Sequence, residues 1–202
     1  MQTTPAVVFD LGKVLLNFDY SVALRRLLAQ SKCPAPELWT PVKQSQLLAQ
    51  YERGTLTTKA FYEKVREVSG FKGSFDAFKE IFGDIFTPIP EMVRLHDDLV
   101  VRGYPVFIFS NTNEIAVEYI RRHFPFFSRF DGYVFSYEHA SMKPEAPLYE
   151  VVEKLAERRG EQLIYLDDRP ENIAAGRARG WRALVHESPA GTRSWLEAAL
   201  AG

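Results

Sequence analysis

Ala6-Val7-Val8-Phe9-Asp10-Leu11-Gly12 decides how this chain is read. Four apolar residues run straight into an aspartate and a glycine turn. A continuous apolar run fits a strand buried on both faces, as in a parallel sheet. Two further runs have the same form. Pro105-Val106-Phe107-Ile108-Phe109 ends at Ser110-Asn111, and Gln162-Leu163-Ile164-Tyr165-Leu166 ends at Asp167-Asp168. Weaker strand signals lie at Gly132-Tyr133-Val134-Phe135 and Arg182-Ala183-Leu184-Val185. Helices are expected at Pro90 to Arg102, about Asn113 to His123, Ala146 to Arg158, Glu171 to Arg179 and Thr192 to Leu200. Repeated strand–helix units predict an α/β fold, a Rossmann-like parallel sheet with helices on both faces.

One segment breaks this rhythm. Val14 to Phe18 reads as a short extended flap, and from Ser21 to about Phe86 no strand stands out. Leu24, Leu27 and Leu28 recur at helical spacing. Thr57 or Thr58 can cap a helix that Gly70 ends, and Ser74 can cap another. Thr87-Pro88-Ile89-Pro90 reads as the exit. The expected organisation is a core of residues 1–16 and 88–202 with an inserted helical cap at 17–87. Phe71, Phe75, Phe78, Phe82 and Phe86 read as the cap's own core.

Composition narrows the function. The 202 residues carry 25 Lys plus Arg against 26 Asp plus Glu, a formal charge of −1. A nucleic-acid binder would show a marked basic excess, so no nucleic-acid partner is expected. The hydrophobic share of 46% excludes an acidic disordered chain. The single cysteine, Cys33, excludes an internal disulfide framework. No apolar run approaches the roughly 20 residues of a membrane span, and Met1 to Pro5 has no signal-peptide core. A soluble, cytoplasmic protein with no membrane partner is expected.

The strand ends carry the chemistry. In an open parallel sheet, ligands sit beyond the carboxyl ends of the strands. Asp10, Ser110-Asn111 and Asp167-Asp168 would converge there, and Lys143 can reach the same crevice. Carboxylates suit a hard cation such as Mg²⁺. A hydroxyl, helix-start amides and a lysine suit a phosphate. A carboxylate is also a possible nucleophile toward phosphorus. Together these groups spell phosphoryl transfer. Each has a plainer reading: turn or cap aspartates, a Ser110 to Asn113 helix-cap cluster, a solvated loop lysine.

The same residues resemble a known family. Phe9-Asp10-Leu11-Gly12, Ser110-Asn111-Thr112-Asn113, Met142-Lys143-Pro144-Glu145 and Leu166-Asp167-Asp168 with Asn172 and Gly176 resemble the four ordered motifs of the haloacid dehalogenase superfamily. The helical segment resembles that family's cap. Within the superfamily the motifs, with Tyr51-Glu52-Arg53-Gly54, look most like the bacterial α-D-glucose-1-phosphate phosphatase group. The phosphatase domain of soluble epoxide hydrolase is a more distant likeness. The resemblance implies Mg²⁺-dependent hydrolysis of a small phosphorylated metabolite, such as a sugar 1-phosphate. Asp10 would be nucleophile and metal ligand, and Gly12 would lend its backbone carbonyl to the metal. Ser110 and the Asn111 amide would hold the phosphoryl oxygens. Lys143 would neutralise charge, Asp168 would be the second metal carboxylate, and Asp167 would orient Lys143 or a metal water. Arg53 is a candidate for contact with substrate when the cap closes.

One position departs from the pattern. Phosphatases of this superfamily mostly carry a second aspartate two residues after the nucleophile, as the general acid and base. Here that position is Gly12. Loss of such a group costs about 10²–10⁴-fold in rate. Three explanations stand open: a substrate with a good leaving group, a substitute carboxylate such as Asp19 or Glu52 or a metal-bound water, or phosphate binding with little turnover. Dehalogenase and phosphoglucomutase chemistry are rival readings, and Gly12 counts against both. His96, His123, His139 and His186 show no paired metal spacing; His139, four residues before Lys143, reads as a loop histidine. Nothing in the sequence fixes Trp39, for which the cap face toward the cleft stands open, and Cys33 reads as a helix-end thiol.

Overall fold

The computed structural model describes residues 4–31 and 41–201; the expectations for Cys33 and Trp39 fall outside them. Strand β1 (Ala6–Phe9) is buried along its whole length, as its unbroken apolar run requires. Its side chains alternate between two layers. Val7 and Phe9 join one apolar cluster, with Ile108, Leu166, Met92, Leu99, Ile120 and Leu196 among its members. Ala6 and Val8 join the other, with Phe109, Tyr149, Val152, Tyr165 and Trp181. A strand with period two and two greasy faces therefore needs helices above and below.

Those helices and strands follow in alternation. They are α5 (Pro90–Val101), β4 (Val106–Ser110), α6 (Glu114–His123), β5 (Gly132–Phe135), the single turn α7 (Ser136–His139), α8 (Ala146–Ala156), β6 (Leu163–Asp167), α9 (Pro170–Ala178), β7 (Arg182–Val185) and α10 (Pro189–Ala201). The five long-sheet strands lie in the order β5-β4-β1-β6-β7, and every pairing is parallel. The chain leaves β1 to one side for β4 and β5, then returns to its other side for β6 and β7. Beyond β1 is therefore the topological switch point where open α/β sheets bind ligands. Phe9 pairs with both Ile108 and Leu166, so Asp10 stands level with Phe109 and Asp167.

The helical insertion comprises α1 (Tyr20–Ala29), α2 (Pro41–Glu52), α3 (Thr58–Ser69) and α4 (Phe75–Gly83). Thr57 caps α3 by accepting the Ala60 N–H, Ser74 caps α4 by accepting the Ala77 N–H, and left-handed Gly70 ends α3. Its apolar cluster holds Leu27, Tyr51, Phe61, Val65, Phe71, Phe78 and Phe82, and Ile115 of α6 plugs into it from below. Tyr51 and Phe61 stack at 4.4 Å. Two features go beyond the sequence reading. The flap strand β2 (Leu16–Phe18) pairs antiparallel with β3 (Phe86–Pro88), so the exit from the insertion is itself a strand. The segment after β5 turns at once into α7. No helix among the described residues is long and apolar enough to cross a membrane.

Phe78 is fully buried and touches Phe61, Tyr62, Phe71 and Phe82. Phe78→Ala is expected to cost about 3–5 kcal/mol, the usual loss for a large core ring, read as a lower denaturation midpoint in urea.

Candidate active site

The site is built on Lys143, whose Nζ lies beneath the ends of three adjacent strands. It is 2.9 Å from Asp10 Oδ1 after β1 and 2.6 Å from Asp167 Oδ2 of β6, and it donates to the Phe109 carbonyl of β4 at 2.8 Å. All three hydrogens of the ammonium are thereby used. The side chain is almost wholly buried, and burial alone would lower its pKa. The facing Asp10 and Asp167 charges outweigh that and hold it above its ordinary value, so the lysine stays charged.

Asp167 has no exposed surface. Its carboxylate accepts from Lys143, from the Tyr165 hydroxyl, from Asn172 Nδ2 at 2.9 Å and from the Arg169 N–H at 2.8 Å. Burial pushes its pKa up, and Lys143 with these donors brings it below the usual value. So surrounded, Asp167 orients the lysine. Asp10 differs. Its Oδ1 accepts the Leu11 N–H at 2.7 Å, yet burial raises its pKa to about 7 against the pull of Lys143. Asp168 is half-buried, and burial followed by the nearby Asp167 charge raises it too.

Oxygens of Asp10, Asp167 and Asp168 all lie within 4.8 Å of one another. When all three are ionised, the carboxylates exceed the Lys143 ammonium by two negative charges, a repulsion that a bound cation would relieve. Such an all-oxygen, electron-rich donor set suits a hard divalent cation. Asn172 Oδ1 adds a second sign. It is buried without a hydrogen-bond partner, on a residue that lines the same pocket, and such an unpaired oxygen beside the carboxylates is a group that an ordered polar ligand could satisfy.

The pocket, of about 180 Å³, is lined by Asp10, Gly12, Ser110, Asn111, Lys143 and Asp168 from the sheet ends, by Phe18 of the flap beside Gly12, and by Glu52 of the insertion. The Ser110 hydroxyl makes only a long 3.5 Å contact to the Asn111 carbonyl, at the limit of a hydrogen bond. It can therefore turn to an incoming oxygen. Asn111 clasps the lysine loop: its Nδ2 donates to the Lys143 carbonyl at 3.0 Å, and its Oδ1 accepts the Lys143 N–H at 2.8 Å. Asn113 caps α6 by accepting the Ala116 N–H. The Ser110 to Asn113 run thus serves the site and the helix start together.

Arg53 is the candidate that the fold does not bring to the pocket. Its guanidinium forms a two-pronged ion pair with Glu145 on the outer rim, at 2.5 and 3.0 Å, and this holds Glu145 down to about 2. Its reach is spent on the loop after Lys143, so it ties insertion to core. His139 is exposed and lies outside the pocket lining. Asp19 caps α1 through the Ser21 N–H and is exposed, so its carboxylate is committed elsewhere. Glu52, by contrast, lines the cavity.

A family model for haloacid dehalogenase-like hydrolases matches residues 4–180. The chain belongs to that family. A sesquiterpene phosphatase of Aspergillus oryzae is 27% identical over 184 residues, 90% of this chain and 89% of the relative. A D-ribitol-5-phosphate phosphatase of Bacteroides thetaiotaomicron is 22% identical over 201 residues, 96% and 97% of the two chains. Among solved structures, a family enzyme of B. thetaiotaomicron in complex with magnesium and inorganic phosphate matches with a TM-score of 0.79 at 21% identity, over 92% of this chain and 95% of that one. An L-2-haloacid dehalogenase of Xanthobacter autotrophicus matches at 0.62 and 16% identity, over 90% and 76%. These structural likenesses speak for the fold.

The space beside Gly12 is already filled. A Cβ on Gly12 would meet Phe18 Cε1 at 2.7 Å, and Lys13 Nζ lies 4.8 Å from the centre of that ring. Gly12→Asp is therefore expected to lose about 1–3 kcal/mol by overpacking, and less in a Phe18→Ala background, measured as a double-mutant cycle in denaturant. Asp167→Asn, which leaves Lys143 with Asp10 as its one facing carboxylate, is expected to cost about 1–3 kcal/mol, the usual loss when a buried hydrogen bond to a charged group is weakened, read the same way.

Proposed function

We propose that this hydrolase cleaves a small phosphomonoester through an aspartyl-phosphate on Asp10, with Mg²⁺ as its metal. The observation that carries this reading is the charged Lys143 fixed between Asp10 and Asp167 on the floor of a small pocket that Ser110 and Asp168 also line. Asp10 Oδ1 is held by Lys143 and the Leu11 N–H, so Oδ2 is the oxygen left for attack. That oxygen forms a bond to phosphorus as the bond from phosphorus to the leaving oxygen breaks, and the electron pair departs with the leaving group. Water then attacks the same phosphorus, which releases inorganic phosphate and restores the Asp10 carboxylate. Ser110 and the Asn111 amide hold phosphoryl oxygens, and Lys143 offsets the charge that builds on them. Asp10, Asp168 and the Gly12 carbonyl would hold the metal, which adds positive charge where the phosphoryl group gains negative charge.

The named relatives act on phosphorylated small molecules, a sesquiterpene and a ribitol phosphate, which supports a metabolite substrate. The cavity volume points the same way. A sugar 1-phosphate is the substrate that the motif likeness favours, and its anomeric oxygen leaves more readily than a simple alkoxide. The core of residues 1–16 and 88–202 and a cap of residues 17–87 describe the working parts: the sheet edge binds the phosphate, and the insertion covers the organic group and keeps bulk water out.

The purified protein is expected to release phosphate from sugar phosphates only with Mg²⁺ present. Chelation should stop the reaction and added Mg²⁺ restore it. Asp10→Asn should abolish turnover while the fold, followed by circular dichroism, is kept. Phosphate release that survives Asp10→Asn overturns the covalent route.

A further inference from the structure

Gly12 leaves the leaving oxygen without a proton donor from the sheet side, and Phe18 fills the space where one would stand. The other wall of the pocket offers a carboxyl. Resting on the phosphatase reading, we propose that Glu52, presented by the helical insertion, gives its proton to the leaving oxygen and then takes one from the water that attacks the aspartyl-phosphate.

Geometry supports this first. Glu52 is the last residue of α2, and it lines the main cavity together with Asp10, Ser110 and Lys143. A smaller extension, lined by Phe18, Tyr20, Glu52, Phe86 and Thr112, adjoins it. This mostly apolar recess can receive an organic group next to the carboxyl. The residues around Glu52 are docked one after another. The Tyr51 hydroxyl accepts the Ile115 N–H at 3.1 Å. Since the Thr58 hydroxyl donates to Glu114, Tyr51 must donate to Thr58. The Glu52 carbonyl accepts from the Ser136 hydroxyl at 2.5 Å. Arg53 grips Glu145. Gly54 has φ +77°, and a Cβ there would fall 2.1 Å from the Tyr137 carbonyl oxygen, so only glycine permits this approach. Tyr51 to Gly54 are thus each tied to the core, and they present the Glu52 carboxyl at the pocket.

The surroundings tune it. Burial raises the Glu52 pKa to about 7, against the Tyr20 hydroxyl, which donates at 3.3 Å and favours the charged form. Arg169, after β6, also lowers it, and Asp10 raises it. Lys13, Lys143 and Asp168 complete the charged lining of the cavity. A carboxyl poised near neutrality can serve in both directions. In the first half-reaction the proton moves from Glu52 to the departing alkoxide and leaves a carboxylate. In the second, that carboxylate takes a proton from water as the oxygen bonds to phosphorus, so Glu52 ends as it began.

The test compares an alkyl phosphate with p-nitrophenyl phosphate, whose leaving group needs no proton. Glu52→Gln should lower kcat/KM for the alkyl phosphate by about 10²–10⁴-fold and leave kcat/KM for the aryl phosphate near the wild-type value. With the aryl substrate it should give a burst of one nitrophenolate per chain, followed by slow turnover, because hydrolysis of the aspartyl-phosphate lacks its base. Wild-type kcat/KM for the alkyl phosphate should fall as pH rises through the Glu52 titration, and Glu52→Gln should lack that limb. Tyr20→Phe, which removes a donor to the carboxylate, should move the limb to higher pH; this variant serves if Glu52→Gln does not fold. Equal losses with both substrates, an unchanged alkyl rate in Glu52→Gln, or an unmoved limb in Tyr20→Phe overturn the proposal. Absence of phosphate release by the wild type with Mg²⁺ overturns instead the phosphatase reading beneath it.

Discussion

An ammonium cannot be buried alone. Lys143 keeps its charge inside the protein because Asp10, Asp167 and the Phe109 carbonyl each take one of its hydrogens. That requirement fixes the architecture around it. The three acceptors lie just after β1, on β6 and on β4, which must be neighbours and must end at one height, and the observed order puts β1 between the other two. The clasp between Asn111 and the Lys143 backbone closes the arrangement from the loop side. Tyr165, buried and kept protonated by that burial, completes the shell around Asp167. A buried ion pair of this kind contributes little net stability compared with an apolar replacement, but breaking it is costly. Its value here is position.

The second constraint is the contest for space at residue 12. In this chain the flap turns its aromatic ring onto Gly12, and the cation of Lys13 lies over the same ring. A larger residue there would have to displace the Phe18 ring, so packing and chemistry meet at this position. The compensating carboxyl sits across the cavity, on an element joined to the sheet through the short β2–β3 ribbon and through the Tyr51 to Gly54 mount. The two walls of the pocket come from parts of the chain with separate apolar clusters, and Ile115 of α6 is the core residue that reaches into the insertion's cluster.

Much of this was legible in the sequence, for physical reasons. Unbroken apolar runs ending in polar residues marked β1, β4 and β6, and their ends named Asp10, Ser110, Asn111, Asp167 and Asp168 before any geometry was known. Capping residues marked α3 and α4, because a side-chain oxygen three residues before a free N–H is a local signal. The β2–β3 pairing was not legible: it joins residues about seventy apart, and three-residue strands carry no period. The pairing of Arg53 with Glu145 was not legible either, because Glu145 lies far along the chain and only folding brings the two together. Phe18 was missed for the same reason. Glu52 could be named as one of two substitute carboxylates, but choosing it over Asp19 needed the finding that Asp19 is spent on a helix cap.

The nucleophile and the proposed acid stand on elements of unequal local stability. Asp10 follows a strand hydrogen-bonded on both sides and buried on both faces, the kind of element that opens only when the whole domain unfolds. Glu52 depends on a mount whose outermost tie, Arg53 to Glu145, is an ion pair open to solvent, and such pairs are worth about 0–1 kcal/mol. Amide hydrogens in the insertion can therefore exchange through partial openings that leave β1 protected. Any loosening of the insertion, by salt, heat or a crowded substrate, withdraws proton transfer first and leaves the anion-binding floor whole. The molecule can lose its rate before it loses its grip on phosphate.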